Sequence, residues 1–126
     1  MFAGVEHIAI ASSSPGSLAQ WYVEHLAFKT IARDGGTHFV KAPNGVVLEI
    51  ITAKGERTGQ EMQDPGFRHM AIAVSDFDQA LAALRGRGVS FLGEPYASPQ
   101  GNRVVFFTDC EGNILHLIQR VHPLPE

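Results

Sequence analysis

Four side chains in this 126-residue sequence have the donor chemistry of metal ligands and share one kind of setting. His7 in VEHIAIA and His69 in FRHMAIA each open an alternating apolar segment, and they lie 62 residues apart, close to half the chain. Glu49 in VVLEIIT and His116 in NILHLIQ each interrupt an apolar run near the end of its half. A carboxylate buried without a partner costs several kcal/mol or takes up a proton, so Glu49 calls for a cation, a strong donor or a metal. Three imidazoles and one carboxylate form a good donor set for a divalent first-row ion. Taken singly, each histidine is more often a satisfied core or edge residue, and Glu49 more often sits at an exposed edge or beside an arginine. The shared placement on the first and last strand of both halves is what joins them into one site.

Strand alternation says where these groups point. His7 shares a face with Ala9 and Ala11, and His69 with Ala71 and Ala73. Ile8 and Ile10, and Met70, Ile72 and Val74, take the opposite face, which would pack on a helix. Small neighbours around each histidine leave room for a ligand.

Those faces must be positioned by two similar modules. In the first, a strand over Val5 to Ala11 is followed by a helix that Ser14 can cap and Pro15 can start, with Leu18, Trp21, Tyr22, His25 and Leu26 as its stripe. Extended segments follow at Lys29 to Arg33, Thr37 to Lys41 and Val46 to Thr52, broken by Asp34-Gly35-Gly36 and Pro43-Asn44-Gly45. Residues 54–66 read as a polar linker. The second half repeats the order: a strand from Phe67 to about Val74, a helix opened by Ser75 with Asp78, then strands at Val89 to Leu92, Asn102 to Thr108 and Ile114 to Val121. The expectation is one domain over 1–126, with module one at about 1–53 and module two at about 67–121.

The bulk numbers narrow the function. Lys plus Arg is 10 against Asp plus Glu 13, a formal net charge of −3, with no basic block to suit nucleic acid or an anionic membrane. No apolar run approaches the roughly 20 residues that span a bilayer, and no basic region followed by an apolar core opens the chain. A single cysteine, Cys110, permits no internal disulfide and fits a reducing compartment, so the cytoplasm is expected. Cys110 has no evident base beside it, and neither His25 nor His122 is placed as a ligand.

With these motifs in view, the chain resembles the vicinal oxygen chelate superfamily, which includes glyoxalases, bleomycin-resistance proteins and extradiol dioxygenases. VEHIAIA with LAQWYVEHLAFK, NGVVLEI, FRHMAIAV with ALAALRGRGV, and FFTDCEGNILHLIQ carry the resemblance over nearly the whole length. It implies an α+β fold: two β-α-β-β-β modules forming a curved, half-barrel mixed sheet, with helices on the outer face. It implies His7, Glu49, His69 and His116 as ligands of one divalent transition metal (Fe, Ni, Zn, Cu, Co or Mn), and a homodimer. His116 stands where most metal-bearing relatives have a glutamate, and Ala27 replaces a glycine common after the first helix.

The implied chemistry is capture of two adjacent oxygens of a small substrate by the metal, which stabilises an enediolate or oxyanion. Glu49 is the candidate catalytic base, which favours a lyase or isomerase slightly over a ring-cleaving dioxygenase. His38 and Arg103 are candidate substrate contacts, with Phe39, Phe107 and a lid over residues 96–102. The alternative is a metal-free protein of the bleomycin-resistance kind that sequesters a small molecule.

Overall fold

The computed structural model describes residues 1–57, 59 and 61–126. Thr58 and Gln60, inside the expected linker, lie outside the described residues. The chain divides into two compact units, Met1–Thr58 and Gly59–Glu126, with the division inside the 54–66 linker.

Unit one runs β1 (Ile8–Ser12), α1 (Pro15–Leu26), β2 (Lys29–Asp34), β3 (Thr37–Lys41) and β4 (Val47–Thr52). Its sheet has the order β1-β4-β3-β2, with β1 parallel to β4 and the other pairs antiparallel. Helix α1 links the strands at the two edges, β1 and β2. Its stripe of Leu18, Ala19, Tyr22 and Leu26 is buried, as are Val40, Leu48 and Ile50 of the sheet. His25, counted into that stripe from the sequence, instead stacks on Trp21 at 4.8 Å and donates from Nδ1 to the Trp21 carbonyl at 2.9 Å.

Unit two runs β5 (Met70–Ala73), α2 (Phe77–Gly86), β6 (Tyr96–Ala97), β7 (Arg103–Thr108) and β8 (Ile114–Gln119), in the order β5-β8-β7-β6. Phe77, Leu81 and Leu84 of α2 are buried along with Val105, Phe107, Leu115 and Leu117. The α+β class and the repeated β-α-β-β-β order are as the sequence implied.

Local details differ from the sequence reading. Ser14 occupies the cap position of α1 but its hydroxyl makes no capping bond; instead its N–H donates to Ser12 Oγ at 2.9 Å. The cap of α2 is Asp76, not Ser75: its carboxylate accepts from the Gln79 N–H at 3.0 Å. Val89 to Leu92 contributes only a single bridge, Phe91 to Phe107, and the pairing with β7 is made by Tyr96–Ala97, so the front of the expected lid is strand. The DCEGN turn is tied by Asp109, whose carboxylate accepts from the N–H groups of Glu111 and Asn113 and from the Asn113 side chain at 2.7 to 3.0 Å. Among the described residues, no helix is long and apolar enough to cross a membrane.

Candidate functional site

The two units use one register to present their polar residues. His7 lies just ahead of β1, in which Ala9 pairs with Glu49 of β4. His69 lies just ahead of β5, in which Ala71 pairs with His116 of β8. On the other side of the same strands, Phe39 pairs with Glu49 and Phe106 with His116. Parity then places each histidine on the face of its partner, away from the helix. The structure thus brings His7 to Glu49, and His69 to His116.

In unit one, His7 Nε2 stands 3.6 Å from Glu49 Oε1, too far for a good hydrogen bond. Two donors held at about 2.1 Å on a tetrahedral ion would lie about 3.4 Å apart, so this spacing suits a shared cation. The other ring nitrogen, Nδ1, pairs with Glu6 Oε1 at 2.6 Å. A carboxylate accepts, so Nδ1 carries the proton and Nε2 is the atom turned to Glu49. Chiefly through that Glu6 hydrogen bond, and with the charge of Glu49 added, the His7 imidazole is held above its usual pKa. A carboxylate orienting a histidine is the usual outer support of a metal ligand. Glu6 was missed in the sequence, where only its position next to His7 signalled it.

In unit two, His69 and His116 meet edge to face, with ring centroids 4.5 Å apart. Phe106 contacts both, at 5.4 and 4.9 Å. His116 is buried, and its Nδ1 lies 3.1 Å from the Leu117 carbonyl. A carbonyl can only accept, so Nδ1 is protonated and Nε2 keeps its lone pair. Burial pushes the His116 pKa down, and the nearby His69 and Arg120 add to this, so the neutral, ligating form is favoured at neutral pH. Phe106, absent from the sequence candidates, replaces Phe107 there; Phe107 is fully buried on the helix side.

Among the described residues, no three His, Cys, Asp or Glu side chains form a group that could hold a metal ion. The remaining candidates lie elsewhere. His38 pairs with Ile50, on the helix side of its sheet, opposite Glu49. Arg103 donates to Asp78 at 2.8 Å and lies 4.4 Å from the Phe77 ring centroid, against α2. Neither is brought to the face of the metal candidates. Burial, aided by Asp109 and Glu111, raises the pKa of the Cys110 thiol, which agrees with assigning it no nucleophilic role.

Doubled β-α-β-β-β units with matched polar strands define a duplicated α+β architecture. A model of the Glyoxalase/Bleomycin resistance protein/Dioxygenase superfamily matches residues 4–117, and the chain belongs to that family. No curated protein matches it in sequence. Its fold is similar to that of a superfamily member from Sphaerobacter thermophilus DSM 20745 (TM-score 0.77, 23% identity, covering 94% of this chain and 98% of that one). It is also similar to the oxidase ChaP-H2 (TM-score 0.72, 24% identity, covering 97% of both chains). The fosfomycin resistance protein FosX from Listeria monocytogenes gives TM-score 0.73 at 17% identity, covering 94% of both chains.

Proposed function

We propose that this chain is a metal-dependent enzyme that takes a small substrate by two adjacent oxygens, with His7, Glu49, His69 and His116 as the metal donors. The observation that carries the reading is the setting of Glu49. It lies on β4, an inner strand between β1 and β3, and not at an edge. Its side chain is only 26% exposed, and among the described residues its one charged or chargeable partner is His7. The bland explanations, an edge position or an arginine partner, are therefore both missing.

A bound divalent ion would supply Lewis acidity to the two substrate oxygens. The chain's own residues do the rest. Glu6 and the Leu117 carbonyl hold the His7 and His116 rings with Nε2 outward. Phe106 packs against both imidazoles of unit two, of which His116 is buried and His69 is exposed. Glu49 can accept a proton from substrate carbon, which puts a lyase or isomerase ahead of an oxygen-consuming reaction. The small substrate, the homodimer and the cytoplasmic setting expected from the sequence belong to the same reading.

The test is metal content. Untagged protein purified without added metal should carry close to one transition-metal ion per chain by inductively coupled plasma mass spectrometry, and Glu49→Ala should lose most of it. Less than a tenth of an ion per chain, with no uptake on titration, would instead identify a sequestering protein.

A further inference from the structure

Module one has a concave site on the helix side of its sheet, and so separated by that sheet from the Glu49 face. It is a cavity of about 390 Å³ lined by Gly16, Ala19 and Gln20 of α1, Thr30 and Arg33 of β2, and His38 of β3. That volume is at the lower end of the range for small-ligand sites. Arg33 and His38 are direct cross-strand partners. Two nitrogen-rich side chains so opposed gain nothing from each other and repel when both are charged. Among the described residues no carboxylate pairs with Arg33. Asp34, the next residue, alternates to the other face, and Glu24 is engaged by Gln20 at 2.8 Å, a turn further along the helix. The His38 ring approaches Gly16, where an added Cβ would lie 3.5 Å from Nε2.

Module two shows how an acid at the matching helix position is used, although its arginine comes from β7, the counterpart of β3 and not of β2. The repeat offset of 62 that relates His7 to His69 also relates the helix starts, Pro15 and Phe77, and sets Gly16 against Asp78. In module two, the Asp78 carboxylate answers the incoming arginine, Arg103. Module one has a glycine there, an arginine and a histidine that meet no acceptor among the described residues, and open space between them.

We propose that this cavity is a binding site for the oxyanion group of a small molecule, a phosphate or a carboxylate, held by Arg33 and His38 in the place that Asp78 takes in module two. Guanidinium donors form a fork that matches such oxygens, and the Thr30 hydroxyl adds a further donor. The site does not depend on the metal reading, because none of its residues belongs to that face.

The experiment is a titration of ¹⁵N-labelled full-length chain, followed at the Gly16 amide and the His38 ring, with inorganic phosphate in one arm and acetate in another. Saturable shifts in at least one arm are expected, and the arm that saturates lower tells phosphate from carboxylate. Arg33→Met should weaken that binding at least tenfold, with Arg33→Lys in between. Gly16→Asp, which installs the missing carboxylate, should abolish it. An added side chain meets only ordinary contact there, and an acid in the first turn favours the helix. Shifts that stay linear, that sodium chloride reproduces at equal ionic strength, or that survive Arg33→Met or Gly16→Asp would overturn the proposal.

Discussion

In module one, Glu49 is flanked across the sheet by Ala9 and Phe39; in module two, His116 is flanked by Ala71 and Phe106. Strand order and the pairing around these two positions are the same, while the chemistry of the central residue differs. The surroundings have followed it. Glu49 and its partner His7 are partly exposed, with Glu6 as a second carboxylate. His116 is buried, with its pKa lowered chiefly by that burial, and packs against an aromatic ring and another imidazole. A carboxylate needs water or a cation nearby, whereas a neutral imidazole tolerates burial once its N–H is satisfied. Duplication thus supplies two equivalent positions, and burial decides which polar residue each can keep.

Exchanging the two chemistries is the strongest way to break this comparison. His116→Glu gives the proposed donor set two carboxylates, changing its formal charge from −1 to −2, and should move metal preference toward harder ions such as manganese or magnesium. Glu49→His makes both modules nitrogenous and should remove any base. Tight metal binding is expected to fall by at least about a hundredfold in Glu49→His, as in loss of an anionic ligand, and to survive with altered selectivity in His116→Glu. Competition titrations with zinc and manganese measure both. Equal affinity and selectivity in the two variants and the parent would show that the central residues do not act as ligands.

The helix ends differ in a second way. Helix α1 stops at Ala27, a non-glycine residue at φ 60, ψ 25 in the left-handed region, and Phe28 N–H then closes back on the Tyr22 carbonyl at 3.3 Å. The corresponding left-handed position after α2 is Gly88, at φ 71. An L side chain costs about 1 kcal/mol there relative to glycine. Ala27→Gly should therefore stabilise the protein by about 0.5–1 kcal/mol, and Gly88→Ala, which has open space around it, should destabilise by a similar amount through backbone strain alone. Urea unfolding followed by Trp21 fluorescence tests the first, and circular dichroism the second. The same sign for both substitutions would mean that these ends are not set by backbone conformation.

The repeat made the fold legible. Paired HxAIA phrases and paired polar interruptions revealed the repeated order of elements along the chain and the facing of the side chains, because a period of two leaves a residue only two faces to choose from. What escaped was local competition among hydrogen bonds. Nothing in SSSPG says that the Ser12 hydroxyl, not that of Ser14, takes the bond at the helix start, and nothing in VSDFD separates Ser75 from Asp76 as the cap. Phe106 and Phe107 are adjacent and chemically alike; only the register with His116 and Leu115 decides which meets the imidazoles. That Arg103 meets Asp78 and that His38 turns toward Gly16 could not be read from the sequence, because Asp78 and Gly16 are distant along the chain and belong to helices.

The contrast at the first helical turn yields the smallest expected effect. The Arg103 hydrogen bond at 2.8 Å holds the Asp78 carboxyl below its ordinary value of 3.8, with the attraction of the guanidinium charge added to it. Arg103 stays charged across the whole accessible range. A carboxyl with a lower pKa folded than unfolded binds more protons in the unfolded chain as pH falls. Its contribution is therefore fully present above 3.8 and is lost as pH drops through the lower, folded value. Asp78 is exposed, so water and salt screen the pair and the effect is small. The difference in urea midpoint between parent and Asp78→Asn should be greatest at neutral pH and low salt. It should shrink once pH falls below about 3.8 and also shrink in high salt at neutral pH. Module one has no acid in the first turn of α1, so Gly16→Asn there should give a midpoint shift with no such acid-side loss. A difference for Asp78→Asn that persists undiminished at low pH would show that Asp78 does not contribute through its ionised carboxylate, and so not through its pairing with Arg103.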